Sequence, residues 1–212
     1  MSERATGVSG GTDRKFQPGD VIAERTLDTV NGGPVSLPDS GARLTHLQFR
    51  RFAGCPICNL HLRSIAVRHE EILGAGIREV AVFHAGAPEL LPHVADLPFA
   101  VVGDPGKRLY REFGVESAPR ALLDPRAWPI VVTAVARGLW AVLRHRGHFP
   151  AGQPSGGRLG LPADFLITGD GRIAACKYGQ HAGDQWSVDD LLVLAAEAGE
   201  AEVREMGPRA TS

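Results

Sequence analysis

Residues 49–63 read FRRFAGCPICNLHLR. The apolar run Leu44 to Phe49 reaches its end here, and a segment with helical spacing begins. Gly54 breaks the extended pattern. Pro56 suits the first position of a helix, where its missing N–H would have no partner in any case. Cys55 then takes the N-cap place, facing unpaired backbone N–H groups and the positive end of the helix dipole, both of which favour thiolate over thiol. Arg50 and Arg51 add positive potential if either turns inward. Cys58, one turn along, would close a small ring with Cys55 and so resolve a sulfenic acid or a mixed disulfide.

Two other readings of the cysteines stay open beside redox chemistry. A C-x-x-C pair is often half of a zinc site, and His61 extends it to C-x-x-C-x-x-H. No second pair of ligands accompanies it, so no metal and no cofactor is expected. Buried structural thiols are the other alternative. Haem attachment of the c type is excluded, because Asn59 and not His follows the second cysteine.

Outward from this stretch the chain alternates. Val21 to Leu27 and Pro34 to Leu37 read as strands joined by Asn31-Gly32-Gly33, a hairpin signal. Leu62, Ile65, Ala66, His69, Ile72 and Leu73 recur at helical spacing, and Gly74 to Gly76 ends that helix. Strands at Val80–Phe83 and Phe99–Val102 follow, with helices at Ala87–Val94 and Lys107–Phe113. Alternation of this kind implies an α/β sheet with parallel pairs. The end differs. Asp164–Thr168, the turn GDGR and Ile173–Lys177 form an antiparallel hairpin. Ser187 with Asp190 then caps a last helix through about Glu197.

The chain has 212 residues, 43% of them hydrophobic, with a formal net charge of -1. That suits one globular domain and gives no global signal for a polyanion partner. Residues 1–17 read as a disordered tail, 18–198 as the domain, and 199–212 as a frayed end. The N-terminus lacks the apolar core of a signal peptide, and no run reaches membrane-spanning length. With three cysteines in this length, a cytoplasmic, reducing setting is the expectation.

The block from about 120 to 160 departs from the pattern. Its apolar centre, WPIVVTAVARGLWAVLRH, reads as an inserted helix followed by a loop. Trp128, Ile130, Val132, Val135, Leu139, Trp140 and Leu143 would form a dimer surface or substrate cover, or simply pack; an interface helix at a membrane is a lesser reading. The basic cluster Arg144, Arg146, His148 and Arg158 reads as a solvated face and not as a nucleic-acid site.

Among single residues, Cys176 reads as a small core residue or a second resolving thiol. His84 ends the strand VAVFH at the sheet's carboxyl edge, where α/β sites gather, and reads as a site residue or a merely capping or exposed one. His46, His61 and His69 read as ordinary helix or strand residues. Pro162 in GLPADFLI stands immediately before a strand. A cis bond there would set its backbone against the thiols, and a trans strand-entry proline is the alternative.

These pieces together resemble the thioredoxin fold, in the form of the alkyl hydroperoxide reductase/thiol-specific antioxidant family. PGDVIAERTLDTVNGGPVSL resembles that family's N-terminal hairpin. LQFRRFAGCPICNLHLR resembles its active-site strand and helix, and GLPADFLITGDGRIAACKYG its cis-proline strand and hairpin partner. The match covers about residues 18–118 and 160–198. The family's P-x-x-x-[TS]-x-x-C pattern is altered, with Phe52 in the Thr/Ser place and Gln48 in the Pro place. No arginine occupies the strand aligned with Leu161 to Phe165, and Arg120 would substitute only if the chain returns it to the site. The run Arg-Arg-x-x-Gly-Cys-x-x-Cys is similar to the peroxiredoxin-like 2 group.

The resemblance implies a peroxiredoxin-like thiol oxidoreductase that reduces peroxides or disulfides, with Cys55 as nucleophile and Cys58 resolving. Arg51, Pro162 and Arg120 are the supporting candidates. A thioredoxin-like protein or a low-molecular-weight thiol would be the reductant, and a homodimer would form through the insert. The alternatives are a thiol–disulfide reductase without peroxidase activity and a non-enzymatic binding module on the same fold.

Overall fold

The computed structural model describes residues 15–52, 56–115, 132–133, 136 and 160–205. Two short strands, β1 (Arg25–Leu27) and β2 (Val35–Leu37), pair antiparallel, with Arg25 opposite Leu37 and Leu27 opposite Val35. This is the expected hairpin. The main sheet holds β3 (Leu44–Arg50), β4 (Ile77–Phe83), β5 (Ala100–Gly103), β6 (Ala163–Thr168) and β7 (Ile173–Tyr178). Their spatial order is β5-β4-β3-β6-β7. β3–β4 and β4–β5 are parallel, whereas β3–β6 and β6–β7 are antiparallel. This is a thioredoxin-like α/β fold with an N-terminal hairpin and a mixed central sheet.

All seven residues of β3 are buried. The strand is central and covered on both faces, so its period of two sorts side chains between two layers and not between core and water. Leu44 joins Ala81, Phe83, Val101 and Leu166 on one face. That face packs against Leu62 and Ile65 of α1 (Pro56–Val67), Ile72 of α2 (His69–Gly74), Leu90 and Val94 of α3 (Ala87–Val94), and Leu191 and Ala195 of α5 (Val188–Glu205). Leu47 and Phe49 face the other way, with Val80, Val82, Phe165 and Ile167. They pack beneath the hairpin residues Leu27, Val35 and Leu37 and beside Tyr110 of α4 (Arg108–Glu112).

The single helix expected through Leu73 is two. It breaks at Arg68, whose guanidinium bonds Glu71 at 2.7 Å and Asp189, in the first turn of α5, at 2.6 Å. Gly76 then ends the unit at φ +75, a conformation that favours glycine. Ser187 caps α5 as read from sequence: the Asp190 N–H donates to Ser187 Oγ (3.1 Å), and the Ser187 N–H donates to Asp190 Oδ2 (2.9 Å). Among the described residues, no helix is long and apolar enough to cross a membrane. The expected insertion at about 120–160 lies almost wholly outside the described residues. Within it Val132, Thr133 and Ala136 are helical and exposed.

The turn from Leu161 into β6 differs from the expected cis-proline entry. Among the described residues the cis peptide bond is Leu37–Pro38, so Leu161–Pro162 is trans. Pro162 is buried, and its carbonyl accepts the Gly179 N–H at 2.9 Å. It therefore extends the β6–β7 ladder and offers no open edge to an extended substrate.

Candidate active site

β3 delivers its last residues to the carboxyl end of the parallel strands, where sites of α/β folds gather. Its alternation puts His46, Gln48 and Arg50 on the face turned towards the α1 and α5 layer, the face that Leu44 begins. All three side chains are buried, and neighbouring strands supply their partners. β4 sets Glu79 opposite His46, and β6 sets Asp164 opposite Gln48. His46 Nδ1 lies 2.9 and 3.1 Å from the two Glu79 oxygens, and its Nε2 lies 3.3 Å from Asp164 Oδ1. Gln48 Nε2 donates to Glu79 as well. Arg50 donates to Gln48 Oε1 from Nε (3.1 Å) and Nη2 (2.7 Å). Its Nη2 is also 2.7 Å from Asp164 Oδ1 and 3.0 Å from His61 Nε2 on α1. The Trp186 backbone N–H completes the Asp164 carboxylate at 3.1 Å.

The network balances its charges, as buried ions must. Burial alone would lower the His46 pKa, but the Glu79 carboxylate, and then Asp164, raise it to about 9. His46 is therefore protonated at neutral pH. Burial pushes the Asp164 carboxyl up, but the Arg50 guanidinium and His46 outweigh it and hold the group well below the usual carboxylate range. Burial and the positive charge of Arg50 drive His61 well below 6.5, so it stays neutral. Arginine can only donate, so His61 Nε2 is its lone-pair nitrogen.

Beyond the β3–β4 ladder, which ends at Arg50 opposite Phe83, come Arg51 and His84. Arg51 is 2% exposed, with its guanidinium 5.4 Å from the centre of the Phe52 ring. His84 is fully buried, and its ring lies edge-on to Tyr110 at 5.5 Å. Tyr110 bonds the Arg50 carbonyl and lies 2.9 Å from the Val82 carbonyl, pinning α4 under the ends of β3 and β4.

The sequence expectations divide here. Arg51 turns inward at the β3–α1 junction, as does Arg50. Pro56 is the first residue of α1. Cys55 and Arg120 lie outside the described residues. The expected paired-thiol function is corrected: the described cysteines are Cys58 and Cys176, and they form no C-x-x-C redox pair with each other. Cys58 is buried in α1 at 2% exposure, and Cys176 sits on β7 against the opposite layer. Among the described residues, no group of three or more His, Cys, Asp and Glu side chains is placed to hold a metal ion.

Reading His46 and His61 as ordinary missed the network. The signal was present: polar residues at every second place of a strand that should be buried, His46, Gln48 and Arg50, mark one inward polar face. Their partners Glu79, Asp164 and His61 carried no such signal, since only the sheet order brings them together.

No family model matches the sequence, and comparison with curated proteins finds no match. Solved structures do share the fold. The peroxidoxin BcpB from Mycobacterium tuberculosis has 14% identity and a TM-score of 0.59, covering 86% of this chain and 97% of its own. A putative thiol:disulfide interchange protein DsbE from Chlorobium tepidum has 18% identity and a TM-score of 0.55, covering 87% and 99%. A 2-Cys peroxiredoxin from Plasmodium vivax has 12% identity and a TM-score of 0.61, covering 93% and 90%. At these identities the likeness is one of fold, the thioredoxin-like one described above.

Proposed function

We propose that this chain is a thiol-dependent oxidoreductase that acts through one reacting thiol, Cys55, with no cysteine partner in the catalytic step. The observation that carries this reading is the Arg51 guanidinium, buried past the end of β3 in the stretch that leads to α1. Positive charge beside a helix N-terminus favours an anion there, and thiolate is the reactive form of cysteine. The thiolate attacks one atom of a peroxide O–O or a disulfide S–S bond. That bond breaks with its electron pair on the departing atom. An external thiol, small or protein-borne, then attacks the oxidised sulfur and returns Cys55 to its reduced form. The fold's likeness to peroxidoxin and thiol:disulfide interchange structures agrees with either substrate.

The test is turnover of hydrogen peroxide and of a small aromatic disulfide with dithiothreitol in excess. Cys55→Ser should fall to background, while Cys58→Ser keeps turnover within about threefold of the parent. Equal turnover by Cys55→Ser and the parent would sink the reading, and loss in a folded Cys58→Ser would sink its single-thiol form. A homodimer through the insertion belongs to the same proposal. Val132 there is 62% exposed. Light scattering of the chain with and without residues 126–146 checks it, and a monomer mass for both dismisses it.

A further inference from the structure

A cavity of about 450 Å³ opens at the amino end of β4, the far end of that strand from Phe83. A strand of this length spans about 20 Å, so the cavity and the β3–α1 junction are separate places. It lies at the edge of the sheet, between α2 and the β1–β2 hairpin, and it exists because β5 is short. The Leu44 N–H donates to the Gly76 carbonyl, and the Asp104 N–H donates to the Phe83 carbonyl. Those two bonds fix the alternation along β4: Arg78, Val80 and Val82 bond β3, whereas Ile77, Glu79, Ala81 and Phe83 face β5. Pairing with β5 begins only where Val80 stands opposite Ala100. To continue, the ladder would need an N–H from Pro98 for the Ile77 carbonyl, and proline has none. The Glu79 N–H is thereby left facing the notch with no backbone partner among the described residues.

The lining suits one kind of ligand. The Glu79 carboxylate turns inward to His46 and Gln48 and is fully buried, so its main chain is what borders the cavity. Phe99 and His69 make an aromatic wall, with ring centres 5.8 Å apart, and Leu73 adds apolar surface. The hairpin turn closes the other side. It is held there by the Asn31 side chain, which donates to the Phe99 carbonyl and accepts from the Val101 N–H, both at 2.9 Å. Arg78 borders the opening with its side chain 46% exposed. Its Nη1 bonds Asp39, and a guanidinium has further N–H donors on Nη2 and Nε.

We propose that this notch binds a small organic acid, a carboxylate carried on an aromatic ring by a short link. The ring lies against Phe99 and Leu73, and the carboxylate accepts the Glu79 N–H and pairs with the Arg78 guanidinium. Buried backbone N–H groups are almost always paired, so an open one at the wall of a cavity marks a place for an acceptor. The charges select the acceptor. Arg78 is exposed at the opening, whereas the Glu79 carboxylate is taken up inside by His46 and Gln48. An anion therefore meets a charged donor here, and a cation meets no open carboxylate among the lining residues. The volume falls within the range of about 300–1,000 Å³ common to small-molecule sites. Nothing in this site depends on Cys55, so it stands apart from the thiol chemistry.

The test is a heteronuclear NMR titration of the isotope-labelled full chain with phenylacetate, and with phenylacetamide as its uncharged counterpart. Phenylacetate should shift the amides of Glu79, Phe99 and Ala100 and half-saturate at or below about 10 mM, as suits a ligand of this size. Phenylacetamide keeps the ring and lacks the charge, so it should bind at least about tenfold more weakly. Arg78→Gln should weaken phenylacetate by about tenfold and leave phenylacetamide within about twofold of the parent. Leu73→Trp fills the notch from a position that is 46% exposed, and it should abolish both titrations. Shifts confined to other parts of the chain, no saturation by about 50 mM, or equal binding of acid and amide by the parent would each overturn the proposal. So would a folded Arg78→Gln that binds phenylacetate as the parent does. Should a variant fail to fold, the parent's comparison of acid with amide still decides. Cys55→Ser should bind phenylacetate like the parent, whatever its turnover, and a loss of binding there would place the ligand at the thiol instead.

Discussion

Asp164 is the residue on which the buried network turns. One of its oxygens takes Arg50 and His46, and the other takes the Trp186 backbone N–H. Asp164→Asn would leave the Arg50 guanidinium buried without its counter-charge, a loss of about 3–5 kcal/mol for a broken buried pair. Urea unfolding checks this, and a loss below about 1 kcal/mol would show that Gln48 and His61 suffice for Arg50. The histidines give stability a pH dependence with two limbs. His46 is raised in the fold from 6.5 to about 9, so its contribution is complete below 6.5 and is lost as pH rises through 9. His61 and His84 are lowered in the fold, the latter to about 4, so theirs is complete above 6.5 and is lost as pH falls below it. Stability should therefore peak near pH 6.5 and fall on both sides. Urea midpoints from pH 4 to 9 test this, and in His46→Gln the alkaline fall should flatten.

Among the elements, β3 and α5 show how far local signals reach. The Ser187–Asp190 box was legible because both partners lie within one helical turn, and it forms in both directions. Ser187→Ala should cost about 1 kcal/mol with no effect on turnover. The break between α1 and α2 was not legible, because Arg68 is held by Asp189, 121 residues away, as much as by Glu71. Pro162 failed as a cis-proline for a similar reason: its carbonyl bonds the Gly179 N–H, and Gly179 leaves no room for a side chain. A Cβ on Gly179 would stand 2.7 Å from Pro162 Cγ and 2.6 Å from the Asp184 carbonyl oxygen. Gly179→Ala should therefore destabilise by about 1–3 kcal/mol, the range for overpacking a tight site. A neutral result in thermal unfolding would mean that the β7 end shifts freely.

At the scale of the molecule, the sheet separates an apolar layer from a mixed one. On the hairpin side, Phe49, Phe113 and Phe165 pack with ring centres 5.1–5.8 Å apart. Phe165→Ala should cost about 3–5 kcal/mol there, read from urea unfolding. The order of elements, the hairpins, the helix start at Pro56 and the inward turn of β3's polar residues follow from spacing in the chain alone. Periodicity and turn residues act over a few positions, so sequence determines them by itself. The tertiary structure alone decided that Glu79, Asp164 and His61 meet His46 and Arg50, that the His84 ring is buried with no hydrogen-bond partner among the described residues, and that Cys58 is buried. Those facts depend on strand order and helix docking. Residues more than a hundred positions apart become neighbours through these, and desolvation then sets which of them carry charge.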